Sequence, residues 1–555
     1  MKKRWYLLGM AAVMGIMTAC GVQGDGDASE AVDKLAGDGG QASADEKSAQ
    51  EAEGTSEEGQ ESAGMARGDD GAATQDGTGQ QAQEAESALP DYLRGVDLTG
   101  AELVEHTFSE VTVHDPSVIK AGGTWYVFGS HLAGAKTEDL MNWTLIDSDV
   151  KPDNTIIPNA KEEMKEAFEW AKTDTFWAPD VIQLADGRFY MYYCNCEGAS
   201  PLSALGIAVA DNVEGPYQDL GIILKSGQDA ATPDEDGGVY DATIEPNTVD
   251  PCVFFDKEGR LWMVYGSYSG GIYILEMDPD TGFPLESGYG RKLLGGNHLR
   301  IEAPYILYSP ETEYYYLFLS FGGLAADGGY NIRVCRSENP DGPYVDSEGQ
   351  DMIACKGPAG SFFDDSAAGK YGVKLMGNFS FPHVEGENGK FRSGYVSPGH
   401  NSAIYEEETG QYFLIFHTRF EGKGEAHQVR VHQMFLNEDG WPVVSPYRYA
   451  GERLEDLDES VIPGPYKVFN HMHDISSVTR ASEDIVLNPD HTVSGSYEGT
   501  WELKEGHEAV IVLNGIEYRG QWIVEWDQYG YKDVVTFTAL SDKGYAVWGS
   551  GYTAQ

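Results

Sequence analysis

Basic residues are scarce in this chain of 555 residues: 38 Lys and Arg stand against 90 Asp and Glu, a net charge of −52. A field of that sign repels nucleic acid and other polyanions, so no nucleic-acid partner is expected and a neutral or cationic one is favoured. Solubility outside a cell accounts for the charge equally well. Cysteine is scarce too, six in all. With Cys20 set aside, Cys194, Cys196, Cys252, Cys335 and Cys355 leave an odd number, three of them on or beside apolar stretches. Such thiols behave as small hydrophobes, and no spacing suits zinc, so neither a disulfide framework nor a zinc site is expected. Also lacking is a long apolar run. Trp5 to Met17 falls short of the ~20 apolar residues that a membrane span requires.

That short run follows Lys2-Lys3-Arg4 and leads into Thr18-Ala19-Cys20. A basic start, a short apolar stretch and small residues describe a secretory signal over residues 1–20. The cysteine after the small residues resembles a bacterial lipobox, which makes Cys20 the lipidated first residue and the membrane a partner through that lipid alone. The alternative is an ordinary signal with an incidental cysteine. Residues 21–92 contain Gly, Ala, Ser, Gln and acids, with 17 acidic against 3 basic residues up to position 90 and almost nothing apolar to bury. A disordered, self-repelling tether is expected there. The protein is expected at the cell surface, outside the cell, as a monomer.

Beyond the tether one phrase recurs five times: a polar or acidic residue, usually beside Pro, a short apolar strand, a turn, and an aromatic-rich strand. The copies open at Asp115-Pro116, Ala178-Pro179, Asp250-Pro251, Glu302-Ala303-Pro304 and His400-Asn401, and run to Phe128, Tyr193, Tyr265, Phe318 and Phe416. Two-strand units recurring in this way predict an all-β fold, a β-propeller over residues 93–460, with one short helix over Ala160 to Ala171. Pro442, Pro446 and Pro463-Gly464-Pro465 mark a boundary. Residues 461–555 alternate in hydrophobicity over several short strands, which predicts a smaller β-barrel or sandwich that either binds polysaccharide or covers an edge of the propeller; Trp501, Trp522 and Trp526 read as core, with a sugar platform as the alternative.

In a closed ring, equivalent positions of each copy lie at equivalent radii, so residues opening the innermost strands gather on one axis. Three copies place a carboxylate at or beside that position: Asp115, Asp250 and Glu302. Glycoside hydrolysis by inversion needs an acid for the leaving oxygen and a base for water, ~6.5–9.5 Å apart, and separate blades offer that gap. Asp180 sits two residues later in its copy and reads as structural, since Asp commonly bonds nearby backbone. Insertions at Gln218 to Tyr240 and Cys355 to Tyr395 are expected to cap the same face.

His114-Asp115-Pro116-Ser117-Val118, Trp177-Ala178-Pro179-Asp180, Asp250-Pro251, Glu302-Ala303-Pro304-Tyr305, Gly399-His400-Asn401-Ser402 and Phe416-His417-Thr418-Arg419-Phe420, in that order, resemble glycoside hydrolase family 43. Within it they are most similar to bacterial two-domain endo-α-1,5-L-arabinanases. The resemblance implies a five-bladed propeller, in agreement with the five copies, and an inverting mechanism on arabinan or arabino-oligosaccharides. It implies Asp115 as general base, Glu302 as general acid, and Asp250 as the carboxylate that orients the acid and raises its pKa. It also implies His417 beside a calcium ion on the axis, largely through water. His114, Trp177 and Arg419 are expected to contact substrate. The alternatives are an exo-acting arabinofuranosidase or β-xylosidase of the same fold, and a non-catalytic surface lipoprotein that binds polysaccharide.

Overall fold

The computed structural model describes residues 93, 96–98 and 103–554, apart from 199, 230–237, 385 and 388–392. The expected signal, Cys20 and the tether lie outside the described residues.

Each sequence copy builds an antiparallel blade. Blade 1 comprises Ser117–Ala121, Thr124–Gly129, Ala133–Thr137 and Thr144–Asp147; blade 2, Trp177–Gln183, Phe189–Cys196, Ser203–Ala210 and Gln218–Ser226. Blade 3 comprises Cys252–Phe255, Leu261–Ser267, Gly271–Met277 and Arg291–Leu294; blade 4, Ile301–Tyr308, Tyr315–Phe321, Asn331–Ser337 and Val373–Met376. Blade 5 is built on Ser393–Glu406, Gln411–Arg419, His427–Leu436 and Pro442–Val444, and gains Phe379–Phe381 and Arg480–Ala481 at one edge. The second strands read as unbroken apolar runs, and Phe189–Asn195 and Tyr315–Phe321 are buried throughout. Both faces of these strands pack against neighbouring blades, so alternation is lost. The inner strands touch in the order 1, 2, 3, 4, 5 and back to 1, closing the ring. Ser402 Oγ donates to the Pro116 carbonyl at 2.8 Å across the closure.

One backbone feature recurs at the axis. Asp115, Ala178, Asp250, Ala303 and His400 all have positive φ, between 30° and 56°. Four precede proline, which disfavours the right-handed helical conformation for the residue before it. In blades 2, 4 and 5 the ladder skips at this point, between Trp177 and Asp180, Glu302 and Tyr305, and Gly399 and Ser402. These bulges bend the chain where side chains must turn toward the axis.

Asp180 serves as a tie between blades. Its carboxylate accepts the Ser117 hydroxyl of blade 1, and its Oδ2 accepts the Val253 N–H of blade 3 at 2.5 Å. Burial pushes its pKa up to about 6.

The expected helix forms as two pieces, Ala160–Glu163 and Lys165–Ala171. The insertion readings need adjustment. Gln218–Ser226 is the outer strand of blade 2, and the stretch from Cys355 contains the outer strand of blade 4. The outer strand of blade 2 is half-exposed with little apolar signal, whereas that of blade 4 is buried but only four residues long. Among the described residues all five cysteines are free thiols. No helix of the described residues is long and apolar enough to cross a membrane.

The C-terminal module is a closed eight-stranded barrel from Gly464–Asn470 to Ala546–Ala554. Trp501 and Trp522 lie edge to face inside it, 6.1 Å between centroids, with Phe537 5.2 Å further on. An eight-stranded barrel is just wide enough for side chains to fill. Trp526 faces outward from this core, stacks on Phe108 and donates to the Val104 carbonyl at 2.8 Å. Trp548 packs edge-on against Phe379, 5.0 Å apart, so barrel and propeller share one core.

Asp180→Ala strands the Ser117 hydroxyl and the Val253 N–H in a dry site. It is expected to lower the unfolding free energy by about 2–4 kcal/mol, read by urea denaturation. An unchanged midpoint would remove Asp180 as an inter-blade tie.

Candidate active site

The left-handed positions and the residues just before them supply the site. Asp115, Asp250 and His400 occupy the left-handed position itself. His114, Trp177 and Glu302 occupy the one before. The three carboxylates are each under a tenth exposed: Asp115 4%, Asp250 9%, Glu302 9%.

Their surroundings differ. Asp115 Oδ2 accepts from His114 Nδ1 at 2.8 Å and from the Ser130 hydroxyl, while Oδ1 meets His400 Nδ1 at 2.9 Å. Burial opposes ionisation, yet the His114 and His400 imidazoles outweigh it and hold the Asp115 carboxyl well below the usual range. Glu302 accepts from Tyr330 Oη at 2.8 Å and Ser267 Oγ at 2.9 Å. Burial, then the neighbouring Asp250 charge, still raise its pKa to about 7. Asp250 accepts the Ala303 N–H at 3.2 Å. Burial raises it as well, with Asp115 adding to the effect and His400 opposing it. One carboxyl therefore gives up its proton far more readily than another on the same axis, the split that acid–base work near neutral pH uses.

His417 is fully buried, and its Nδ1 accepts the Asp115 N–H at 3.1 Å. Burial, then His114, keep it neutral. Its ring stacks on that of His114 at 4.1 Å. Arg419 is 1% exposed, with Nε on Glu425 Oε2 at 2.6 Å and Nη1 3.4 Å from His417 Nε2. In this structure it braces His417 from within the wall. Trp177 is half-buried beside His131, its indole N–H donating to Thr175 Oγ1 at 2.8 Å and the Cys196 carbonyl at 3.1 Å. Those bonds fix the ring plane at the mouth.

One donor atom each of His114, Asp115 and His417 lie within 4.8 Å of one another. Calcium takes six to eight oxygens. Of these three residues only Asp115 offers oxygen, and His417 Nδ1 is occupied by an N–H, so a direct calcium cage does not fit. A cation held through its own waters does fit, because it needs only polar atoms. His114 Nε2 is buried with no hydrogen-bond partner among the described residues.

Four partners of the carboxylates were not expected from sequence: His400, Tyr330, Ser267 and Ser130. His400 was legible in principle, since it opens the fifth copy where Asp115 and Asp250 open theirs. Burial opposes its charge, but Asp115, then Asp250 and Glu302, raise its pKa to about 9. It is the imidazolium among three carboxylates. Tyr330 depends on Gly399, because a Cβ there would lie 2.0 Å from the Tyr330 ring.

A closed β-ring whose axis holds buried carboxylates of unlike proton affinity is the machinery of a glycoside hydrolase. The profile of glycosyl hydrolases family 43 matches residues 105–369, and that of a C-terminal lipocalin-like domain matches residues 446–549. Extracellular endo-alpha-(1->5)-L-arabinanase 2 of Bacillus subtilis is 59% identical over 444 residues, 80% of this chain and 93% of that protein. The extracellular endo-alpha-(1->5)-L-arabinanase of Thermotoga petrophila is 52% identical, over 81% of this chain and 96% of that one. A crystal structure of a family 43 glycoside hydrolase from Bacillus licheniformis is similar at TM-score 0.77 and 59% identity, covering 80% of this chain and 99% of that chain. The chain belongs to glycosyl hydrolases family 43.

Replacing His400 with Gln removes a positive charge from beside both Asp115 and Glu302, so both carboxyls should titrate at higher pH. Both limbs of the kcat/KM profile are expected to move upward. Limbs that stay in place would show that His400 does not set these charges.

Proposed function

We propose that this enzyme is an inverting endo-α-1,5-L-arabinanase that cuts internal links of arabinan, a neutral polymer suited to an acidic protein. The observation that carries this reading is the split in proton affinity between Asp115 and Glu302, supported by the names of the 59% and 52% identical relatives.

Asp115 is the general base. Its Oδ1 keeps a lone pair for water beside the His400 contact, and it takes the proton as the water oxygen attacks the anomeric carbon. Glu302 is the general acid and gives its proton to the departing oxygen as the glycosidic C–O bond breaks. Asp250 keeps that proton on Glu302 by like-charge repulsion and fixes the start of blade 4 through the Ala303 N–H. Solvent then restores both protonation states. Trp177 and His114 lie on the base side, where the sugar undergoing attack is bound, and Arg419 acts through His417. Calcium is retained as a proposal beside His417, where the Nε2 of His114 would accept from the ion's water shell. The positive charge it supplies would stabilise the ionised base. The enzyme works outside the cell as a monomer, anchored by lipid on Cys20.

The deciding experiment is a product time course on debranched arabinan. Early release of mixed arabino-oligosaccharides is expected. Arabinose alone would make the enzyme exo-acting, and no product would leave a binding protein.

Glu302→Gln is expected to abolish turnover while oligosaccharide binding persists. Because the working form of Glu302 carries its proton, the rate should fall as pH rises through about 7. An alkaline limb at an ordinary carboxylate pKa would sink the assignment. Chelation is expected to lower the melting temperature, with recovery on adding calcium; a melt indifferent to both, with no calcium binding by calorimetry, would eliminate the ion.

A further inference from the structure

An exposed aromatic stands on the site face outside the carboxylate cluster. The long connection after the third strand of blade 4 climbs to that face and carries Phe362 and Phe363 in succession. Phe362 is 56% exposed, more than any other phenylalanine among the described residues. Two rings flank it. Its ring lies 4.2 Å from Phe363 and 5.0 Å from His298, centroid to centroid.

The support beneath it leads to the general acid. Phe363 donates its N–H to the His298 carbonyl at 3.1 Å, and His298 donates its own to the Ser269 carbonyl at 3.0 Å. The Phe363 ring meets Tyr268 edge-on at 5.5 Å. Tyr268 follows Ser267, whose hydroxyl holds Glu302 Oε2 at 2.9 Å. Arg300, two residues before Glu302, lies 5.6 Å from the Phe363 ring and donates to Asp365 at 3.1 Å. Phe363 has φ 56°, a conformation that a bulky residue keeps only when its surroundings enforce it. Two further strips of chain join the assembly, with Asn297 donating its N–H to the Thr243 carbonyl at 2.9 Å and its side-chain amide to the Gly357 carbonyl at 2.7 Å.

We propose that Phe362, backed by Phe363 and His298, is a stacking platform for a furanose ring on the leaving-group side of the cut. The general acid protonates the leaving oxygen, so the chain beyond that oxygen departs past Glu302 and the loops of blades 3 and 4. A neutral sugar offers an apolar C–H face to an aromatic ring without a charge to desolvate. The flanking Phe363 and His298 rings limit the freedom that the platform would lose on stacking. The ligand named is an unbranched run of neutral arabinofuranose, and the inference rests on the arabinanase reading above.

The test compares wild type, Phe362→Ala and Phe362→Tyr on debranched arabinan and on arabinotriose, with melting curves as a control for folding. Phe362→Ala is expected to lose about tenfold in kcat/KM on the polymer, the order of one sugar–aromatic contact, with a smaller loss on arabinotriose. Phe362→Tyr is expected to recover most of that loss. Binding of arabinohexaose to the Glu302→Gln protein should weaken by a similar factor when Phe362→Ala is added. Equal loss on both substrates, or no loss on the polymer, would overturn the platform. A wild-type enzyme inactive on arabinan would instead overturn the substrate reading, and with it the ligand named for Phe362.

Discussion

The site depends on a backbone constraint imposed five times: the residue that opens each inner strand must adopt a left-handed conformation at the axis. Asp115, Ala178, Asp250, Ala303 and His400 all do so. Each such residue costs of order 1–3 kcal/mol, tolerated only where the rest of the structure over-determines it. Here the over-determination comes from the blades, whose second strands are buried along their length and whose inner strands close on one another. The return is positional. Side chains from different blades are aimed at one small volume by rigid strands, the arrangement that precise acid–base chemistry needs.

Burying three carboxylates together would be prohibitive if all were ionised and unpaired. The cluster avoids this by unequal treatment. Asp115 receives two imidazoles and a hydroxyl and keeps its charge. Asp250 and Glu302 stay apart from those imidazole contacts and bind protons more tightly. His400 stands electrostatically among all three, which makes it the balance of the set. The contrast between Asp115 and Glu302 is a property of the neighbours, since the two groups have nearly the same intrinsic proton affinity.

The C-terminal barrel takes part through packing. Its interior is filled by Trp501, Trp522 and Phe537, and its Trp548 completes a core with Phe379 of the propeller. Arg480–Ala481 adds a strand to the edge of blade 5. An uncovered edge would offer free N–H and carbonyl groups to other chains. Trp501, Trp522, Phe537 and Trp548 are thus structural.

The fold and the gathering of three carboxylates on its axis could be read along the chain because a repeat is local periodicity. Five copies, the prolines that follow the opening residue in four of them, and the carboxylates at Asp115, Asp250 and Glu302 are all visible as text. Alternation also announced a β-module after residue 461, though sandwich and barrel share that alternation and only strand pairing separates them. The rest was decided in three dimensions. Asp115 meets His417 across 302 positions of sequence, and no local pattern encodes that contact. Arg419 follows an apolar strand and reads as a cleft residue, yet Glu425 and His417 draw it into the wall. The sequence by itself determined which residues reach the axis; tertiary structure alone decided which of them carry a proton there, because burial and charge pairing arise between segments that meet only when the ring closes.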